Sequence, residues 1–271
     1  AEDRDTPYDG SSRTANPLQE RTEIRVWLLT ADVRLATKSG MQITAAIPDV
    51  TRSAVVTRSG GETFTFRETF SGLGDISIIG WHRLPVRRGF NVTLNAGLSL
   101  PTGKTERPKF REELSEGSLV PMSRLQRGSG TWDPLLGVSV NRLVSGLLEP
   151  GVRLFASAAA RVPVSENAFG LRTGAAWDMG IGGSRELRQS GFGHTIVAIV
   201  RAGWLHRNQD VFEGTPVLVG GGDWINLSPA LAIGLGKVTA QAELRVPVYR
   251  SLANRQLDSP FVVQLGVVRS F

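Results

Sequence analysis

Between Phe90 and Leu100 every second residue is apolar: Phe90, Val92, Leu94, Ala96, Leu98 and Leu100, with Asn91, Thr93, Asn95, Gly97 and Ser99 between them. Successive side chains of a strand point to opposite faces, so this pattern gives a strand with one apolar and one polar face. Strands of soluble sandwiches usually stop after about five or six residues. A tilted strand that crosses a bilayer needs about 9–11. Lys237–Tyr249 repeats the pattern with Val238, Ala240, Ala242, Leu244, Val246 and Val248, and Gly170–Ile181 with Leu171, Thr173, Ala175, Trp177, Met179 and Ile181. Less regular segments fall at about 24–36, 41–50, 73–84, 130–143, 149–164, 194–207, 224–235 and 260–271.

The connections alternate in length. Lys38–Gly40, Pro85–Gly89, Val144–Leu147 and Gly236–Lys237 are short, and about 51–70, 104–127 and 208–223 are long. Short periplasmic turns and long extracellular loops are the habit of outer-membrane barrels. Ser184–Gly193 is too long for a tight turn, and Val164–Asn167 is short for an outer loop. The last segment alternates through Phe261, Val263, Leu265 and Val267 to a terminal Phe271, a closing-strand signature of bacterial outer-membrane barrels; Arg269 departs from it on an apolar position. A soluble sandwich or solenoid explains the alternation but not the strand lengths, loop lengths and terminal aromatic together. The expected fold is therefore all-β: a single closed antiparallel transmembrane barrel of about 12 strands (10–14). Residues 1–22 form an N-terminal segment and 23–271 the barrel. Eleven segments are visible, and an even number requires one more strand, within residues 8–23 or from a segment that is really two.

Composition agrees and adds exclusions. No run of 18 apolar residues exists, so no spanning helix is expected. Cysteine is absent, which removes disulfides, thiolate metal sites and a cysteine nucleophile. The chain opens Ala1-Glu2-Asp3 without a basic or apolar leader, as after removal of a signal peptide. The formal charge of +6 is carried mostly by arginines scattered singly along strands, which argues against nucleic acid.

Parity sorts the charges. Arg34, Arg83, Arg153, Arg161, Arg172, Asp178, Arg201, Glu243 and Arg245 fall on the inward, lumen-lining positions, a mixed set with a basic excess. Asp178 is expected between Arg153 and Arg201. Such a lumen reads as a hydrated path favouring anions or as salt-bridged filling of a narrow barrel. Phe90, Trp132, Trp204, Phe261 and Phe271 are expected as aromatics at the membrane interfaces. Of the three histidines none has a partner at metal-ligand spacing, so no metal and no cofactor is expected. His206 with Asp210 is the one local candidate for a rim hydrolase, and four residues of strand and loop fix no geometry.

Several short motifs remain: Gly72-Leu73-Gly74-Asp75-Ile76, Pro101-Thr102-Gly103, Gly128-Ser129-Gly130-Thr131-Trp132-Asp133 and Pro247-Val248-Tyr249 followed by Asn254-Arg255-Gln256-Leu257. Each reads as turn chemistry at a strand end. Together, over residues 70–271, they resemble the outer-membrane transporter family named after the MetA pathway of phenol degradation, with Arg255 standing where that family has glycine. The resemblance implies an outer-membrane barrel with a transport role and no catalytic motif. The expected function is a passive channel of the bacterial outer membrane, not an enzyme, for small solutes from aromatic or hydrophobic compounds to anions. Its expected partners are membrane lipids, lipopolysaccharide and the solute. A structural barrel serving as scaffold or sheath for a periplasmic or redox partner is the alternative.

Overall fold

The computed structural model describes residues 2–4, 6–13, 21–57, 63–85, 89–105, 126–144, 151–189, 194–217 and 220–269. The strands, in chain order, are β1 (Glu2–Arg4), β2 (Thr6–Gly10), β3 (Ser12–Arg13), β4 (Arg21–Ala36), β5 (Ser39–Thr57), β6 (Thr63–Ser71), β7 (Ile76–Leu84), β8 (Phe90–Leu100) and β9 (Asp133–Val144). They continue as β10 (Val152–Arg161), β11 (Leu171–Arg172), β12 (Ala176–Gln189), β13 (His194–Arg207), β14 (Val211–Phe212), β15 (Thr215–Pro216), β16 (Gly222–Leu235), β17 (Val238–Asp258) and β18 (Val262–Arg269).

All but β11, β14 and β15 belong to one antiparallel sheet, whose eleven long wall strands form a half-barrel. From β4 the wall runs β5, β7, β8, β9, β10, β12, β13, β16, β17 and β18, each strand paired with its chain neighbour. This meander needs only hairpin connections. Two have only two residues between paired positions, Ala36 to Ser39 and Leu235 to Val238; in the second Gly236 stands at φ +63°, a backbone setting that two-residue hairpins favour. Between the outer strands lies β1, antiparallel to both: Glu2, Asp3 and Arg4 pair with Ile24, Glu23 and Thr22 of β4, and Glu2 also pairs with Val262 of β18.

The packing inverts that of a soluble domain. Leu265, Val267, Ile181, Leu28 and Leu154 are exposed, while the buried set is largely polar: Thr131, Asp133, Ser228, Asn226 and Ser99. Strand β16 shows the reason. Trp224, Asn226, Ser228, Ala230 and Ala232 are buried on one face, and Ile225, Leu227, Leu231 and Ile233 are exposed on the other. Register carries this division across the sheet, aligning Leu94, Val138, Ala158, Met179, Trp204, Ile225 and Tyr249 on one row of the apolar face.

Several boundaries differ from the sequence reading. The expected loop 51–70 is largely a hairpin extension, β5 to Thr57 with β6. Ser184–Gly193 is mostly strand, because β12 continues to Gln189 past a register shift between Glu186 and Arg188. The segment 170–181 divides: β11 pairs with β14 in a separate three-stranded sheet and the wall resumes at Ala176. The cause is a close crossing, since a Cβ on Gly174 would lie 2.6 Å from the carbonyl carbon of Asn208. Two short strands reach into the window 8–23, β2 paired with β17 and β3 with β2, and β1 lies ahead of that window between β4 and β18.

Candidate functional site

The polar face is built from the alternate positions of the same strands. Arg161, Asp178, Arg201, Glu243 and Arg245 all lie on it, in ion pairs. Arg201 meets Asp178 from the neighbouring strand, and Arg245 lies 3.5 Å from Glu243, two residues before it. Arg153 does not join Asp178. The register places Asp178 opposite Ala159 and Arg153 opposite Ser184, six residues farther along, and Arg153 donates instead to Asn141 Oδ1 at 3.2 Å. Arg34 and Arg83 share the polar face, near the ends of β4 and β7. Arg172 lies on β11, outside the wall sheet.

Glycines set how these side chains lie. A Cβ on Gly180 would lie 2.6 Å from the Arg201 guanidinium carbon, and one on Gly182 2.7 Å from the Phe155 ring. Both large side chains therefore rest flat against bare backbone rather than projecting from the sheet. Trp81 does the same over Gly40, and its Nε1–H donates to Asp32 Oδ1 at 3.2 Å.

One cluster draws the sequence motifs together. Asp75 ends the Gly72–Asp75 break between β6 and β7, and its carboxylate receives the Gly103 N–H at 3.1 Å, the Ser129 N–H at 2.7 Å and the Ser129 hydroxyl at 2.8 Å. The Thr102 hydroxyl donates to Gly74 O and accepts from Ile76 N–H, both at 2.9 Å. Thr131 donates to Asp133 Oδ1 at 2.6 Å, while Arg161 Nε donates to Asp133 Oδ2 at 2.7 Å and its Nη2 approaches Asp75 at 3.9 Å. Asn167 closes the cluster from the other side, donating to Ser129 O at 3.1 Å. Three backbones meet without side chains: a Cβ on Gly103 would stand 2.6 Å from Gly128 Cα and 2.9 Å from the Gly74 carbonyl carbon. Thr131 and Asp133 are fully buried here. This knot pins residues 101–105 and 126–132 against the polar face. Sequence reasoning found its strings as separate turns. Glycine in all three strings, with Asp in two and Thr in two, was the available signal of a shared polar cluster.

At the same end of the wall His206 faces the apolar side. Its Nδ1 lies 2.8 Å from Asp223 Oδ1 and its Nε2 3.1 Å from Asn208 Oδ1. Asp210 instead takes Arg207 at 2.7 Å and the Gly174 N–H at 2.8 Å, so the two residues of the rim-hydrolase candidate have separate partners. Across three strands the order is His206, Asp223, Ser251, with the carboxylate in the middle and the imidazole two strands from the hydroxyl. Trp204 donates to the same Asp223 at 3.0 Å, and both Trp177 and Trp204 lie against the His206 ring. Trp132 and Phe261 are about half exposed at this end. At the other end the Arg142 guanidinium covers the Phe90 ring at 4.9 Å. Phe271 lies outside the described residues.

No family model and no curated protein matches the sequence. The fold matches the crystal structure of an outer-membrane channel from Pseudomonas putida F1, with a TM-score of 0.66 and 14% identity, over all of this chain and 91% of the other. The chain thus shares the strand architecture of a barrel channel.

Proposed function

We propose that this chain is a bacterial outer-membrane β-barrel acting as a passive channel for small solutes, from aromatic or hydrophobic compounds to anions, and not as an enzyme. One observation carries the reading. The apolar face runs across eleven strands, and its charges lie toward the two ends of the wall: Arg21, Glu23 and Arg25 with Asp49, past the register where β7 begins opposite Ala45, and Arg142, Arg185, Asp223 and Arg269. A charge on a lipid face at mid-bilayer costs about 2–4 kcal/mol, so this distribution is what a membrane selects. An exposed apolar belt of this extent would make a soluble protein aggregate. The strand directions at the two edges of the half-barrel support the same reading. β4 and β18 are each antiparallel to β1 and hence run in the same direction, so an antiparallel ring needs a strand between them, and β1 begins to supply it. In lipid, unpaired edges are not tolerated, and the ring is the stable form. Lipids and lipopolysaccharide then surround the belt and a hydrated lumen runs along the polar face. The likeness to a channel of known structure, the resemblance of the motifs to the MetA-pathway family and the order His206–Asp223–Ser251 all agree with transport without catalysis.

The test is single-channel recording in planar bilayers with a salt gradient. Ohmic steps with a measurable ion preference are expected, and a purified, folded protein that never conducts would refute the channel. A second reading has its own support: Arg161, Arg201, Arg207, Arg245 and Arg250 are matched by carboxylates, as in a barrel filled to serve as scaffold or sheath. Absence of conductance together with capture of a periplasmic protein would favour it.

A further inference from the structure

The arginines of the polar face differ by position. Toward the long-loop end Arg161, Arg201, Arg207, Arg245 and Arg250 each face a carboxylate. Near the short-turn end they do not. Arg34, two residues from the end of β4, makes no hydrogen bond or ion pair among the described residues. Arg83, one residue from the end of β7, has its guanidinium 5.3 Å from the centroid of the Trp81 ring and no carboxylate. Both side chains are exposed.

Between them stands a fixed aromatic shelf. Arg34, Gly40 and Trp81 are consecutive register partners on β4, β5 and β7. The indole lies flat on Gly40, where a Cβ would come within 2.5 Å of it, and its N–H is held by Asp32 at 3.2 Å. Among the described residues Asp32 is the one acid at this shelf, and its hydrogen bond is with the indole. Arg34 and Arg83 spring from strands two apart, about 10 Å, within the joint reach of two arginine side chains. Each guanidinium offers a planar fork of N–H donors that matches a carboxylate, and the indole, one face on Gly40 and the other beneath the Arg83 guanidinium, takes a planar ring when that guanidinium turns to the carboxylate.

We propose that Arg34, Trp81 and Arg83 form a binding site for small carboxylate anions, best for those bearing an aromatic ring, at the short-turn mouth of the bore. The proposal rests on the channel reading only in that solute must reach the polar face. Arg34 and Arg83 hold the carboxylate, and the Trp81 ring takes the planar substituent.

Equilibrium binding of radiolabelled benzoate to the purified, detergent-solubilised full chain tests it, with acetate as competitor. Saturable millimolar binding is expected, weakened at least about fivefold in Arg34→Gln and in Arg83→Gln, and weakened in Trp81→Phe for benzoate but not for acetate. Arg245→Gln, at a carboxylate-paired position, should bind as wild type. A heat-modifiable gel shift shows which variants are folded, and the wild-type protein alone also decides, because rising sodium chloride should displace the ligand. Benzoate binding that is absent, insensitive to salt, or unchanged in both arginine variants overturns the site. Binding without conductance in bilayers would refute the channel and leave the site standing. Conductance without binding would do the reverse.

Discussion

Replacing Asp75 by alanine should loosen the knot and leave the wall strands paired. Its carboxylate accepts three hydrogen bonds from Gly103 and Ser129, and the side chain is 11% exposed, so water cannot take over those roles freely. A hydrogen bond to a charged acceptor contributes about 1.5–3 kcal/mol, and a buried N–H left unpaired costs about 1–3. Because the three bonds share one acceptor they do not add, and a net loss of about 3–5 kcal/mol is reasonable. At about 2–4 °C per kcal/mol for a chain of this size, the unfolding midpoint should fall by roughly 10 °C. The assay is heat-modifiable mobility of the reconstituted protein, with single-channel recording alongside. Without Asp75, residues 101–105 and 126–132 lose one tether and keep those through Thr102, Thr131 and Asn167, so the open-channel current should become noisier. Ser129→Ala removes one of the three bonds, and the double variant should show coupling of about 0.5–3 kcal/mol. A midpoint within about 2 °C of wild type, or additive single and double variants, would refute the account of the knot.

Other expectations follow from the two faces. Leu265→Arg places a charge on the apolar face of β18 and should destabilise the protein in vesicles by about 2–4 kcal/mol, whereas Gln264→Arg on the other face should change stability little. A Glu2→Cys/Val262→Cys pair should oxidise within one molecule, since antiparallel partners lie at disulfide distance; a bond formed only between molecules would contradict β1 as the intervening strand. Asp178→Asn leaves Arg201 without its counter-charge and should raise the anion-to-cation permeability ratio; because Asp178 is 40% exposed, the stability loss should stay near 1 kcal/mol. An unchanged reversal potential would argue against that face as the ion path.

The wall was legible where its two faces differ sharply. Phe90–Leu100 appears in the structure with the limits drawn from its alternation. The segment 170–181 misled because Thr173 and Ala175 keep the alternation going across Gly174, where the backbone is leaving the wall. Ser184–Gln189 reads as part of a connection too long for a tight turn because Ser-Arg-Glu-Leu-Arg-Gln breaks the alternation with polar residues at successive positions, yet β12 runs through it. The strand β1 has no alternation to read, and only the even count demanded by a ring pointed to it. Parity puts Asp178, Arg153 and Arg201 on one face of the sheet but does not fix their heights. Those depend on the stagger between strands, which sequence does not display. The knot was invisible for a related reason: Asp75, Gly103 and Ser129 meet across 28 and 54 residues of chain.

The glycines of the polar face allow a last test, in which the bore is changed without adding a charge. Gly180 has the Arg201 guanidinium directly against it, whereas the nearest atom to a Cβ on Gly183, on the opposite face of the same strand, is a Leu154 methyl at 3.6 Å. Gly180→Leu cannot coexist with the flat arginine. The backbone is fixed by its pairing to β10 and β13, so the long, flexible side chain must give way, lifting from the wall into the space above the polar face and parting from Asp178. The strain is small because the displaced group is a chain end, and leucine gains up to about 1 kcal/mol over glycine in a strand, so stability should change by less than about 1 kcal/mol. Conductance should nevertheless fall, since an unpaired guanidinium now stands in the path. Gly183→Leu adds the same side chain toward lipid and should leave conductance unaltered. If both variants conduct like wild type, Arg201 does not border the ion path; if both reduce the current equally, the loss comes from distortion of β12 and the flat-arginine account fails.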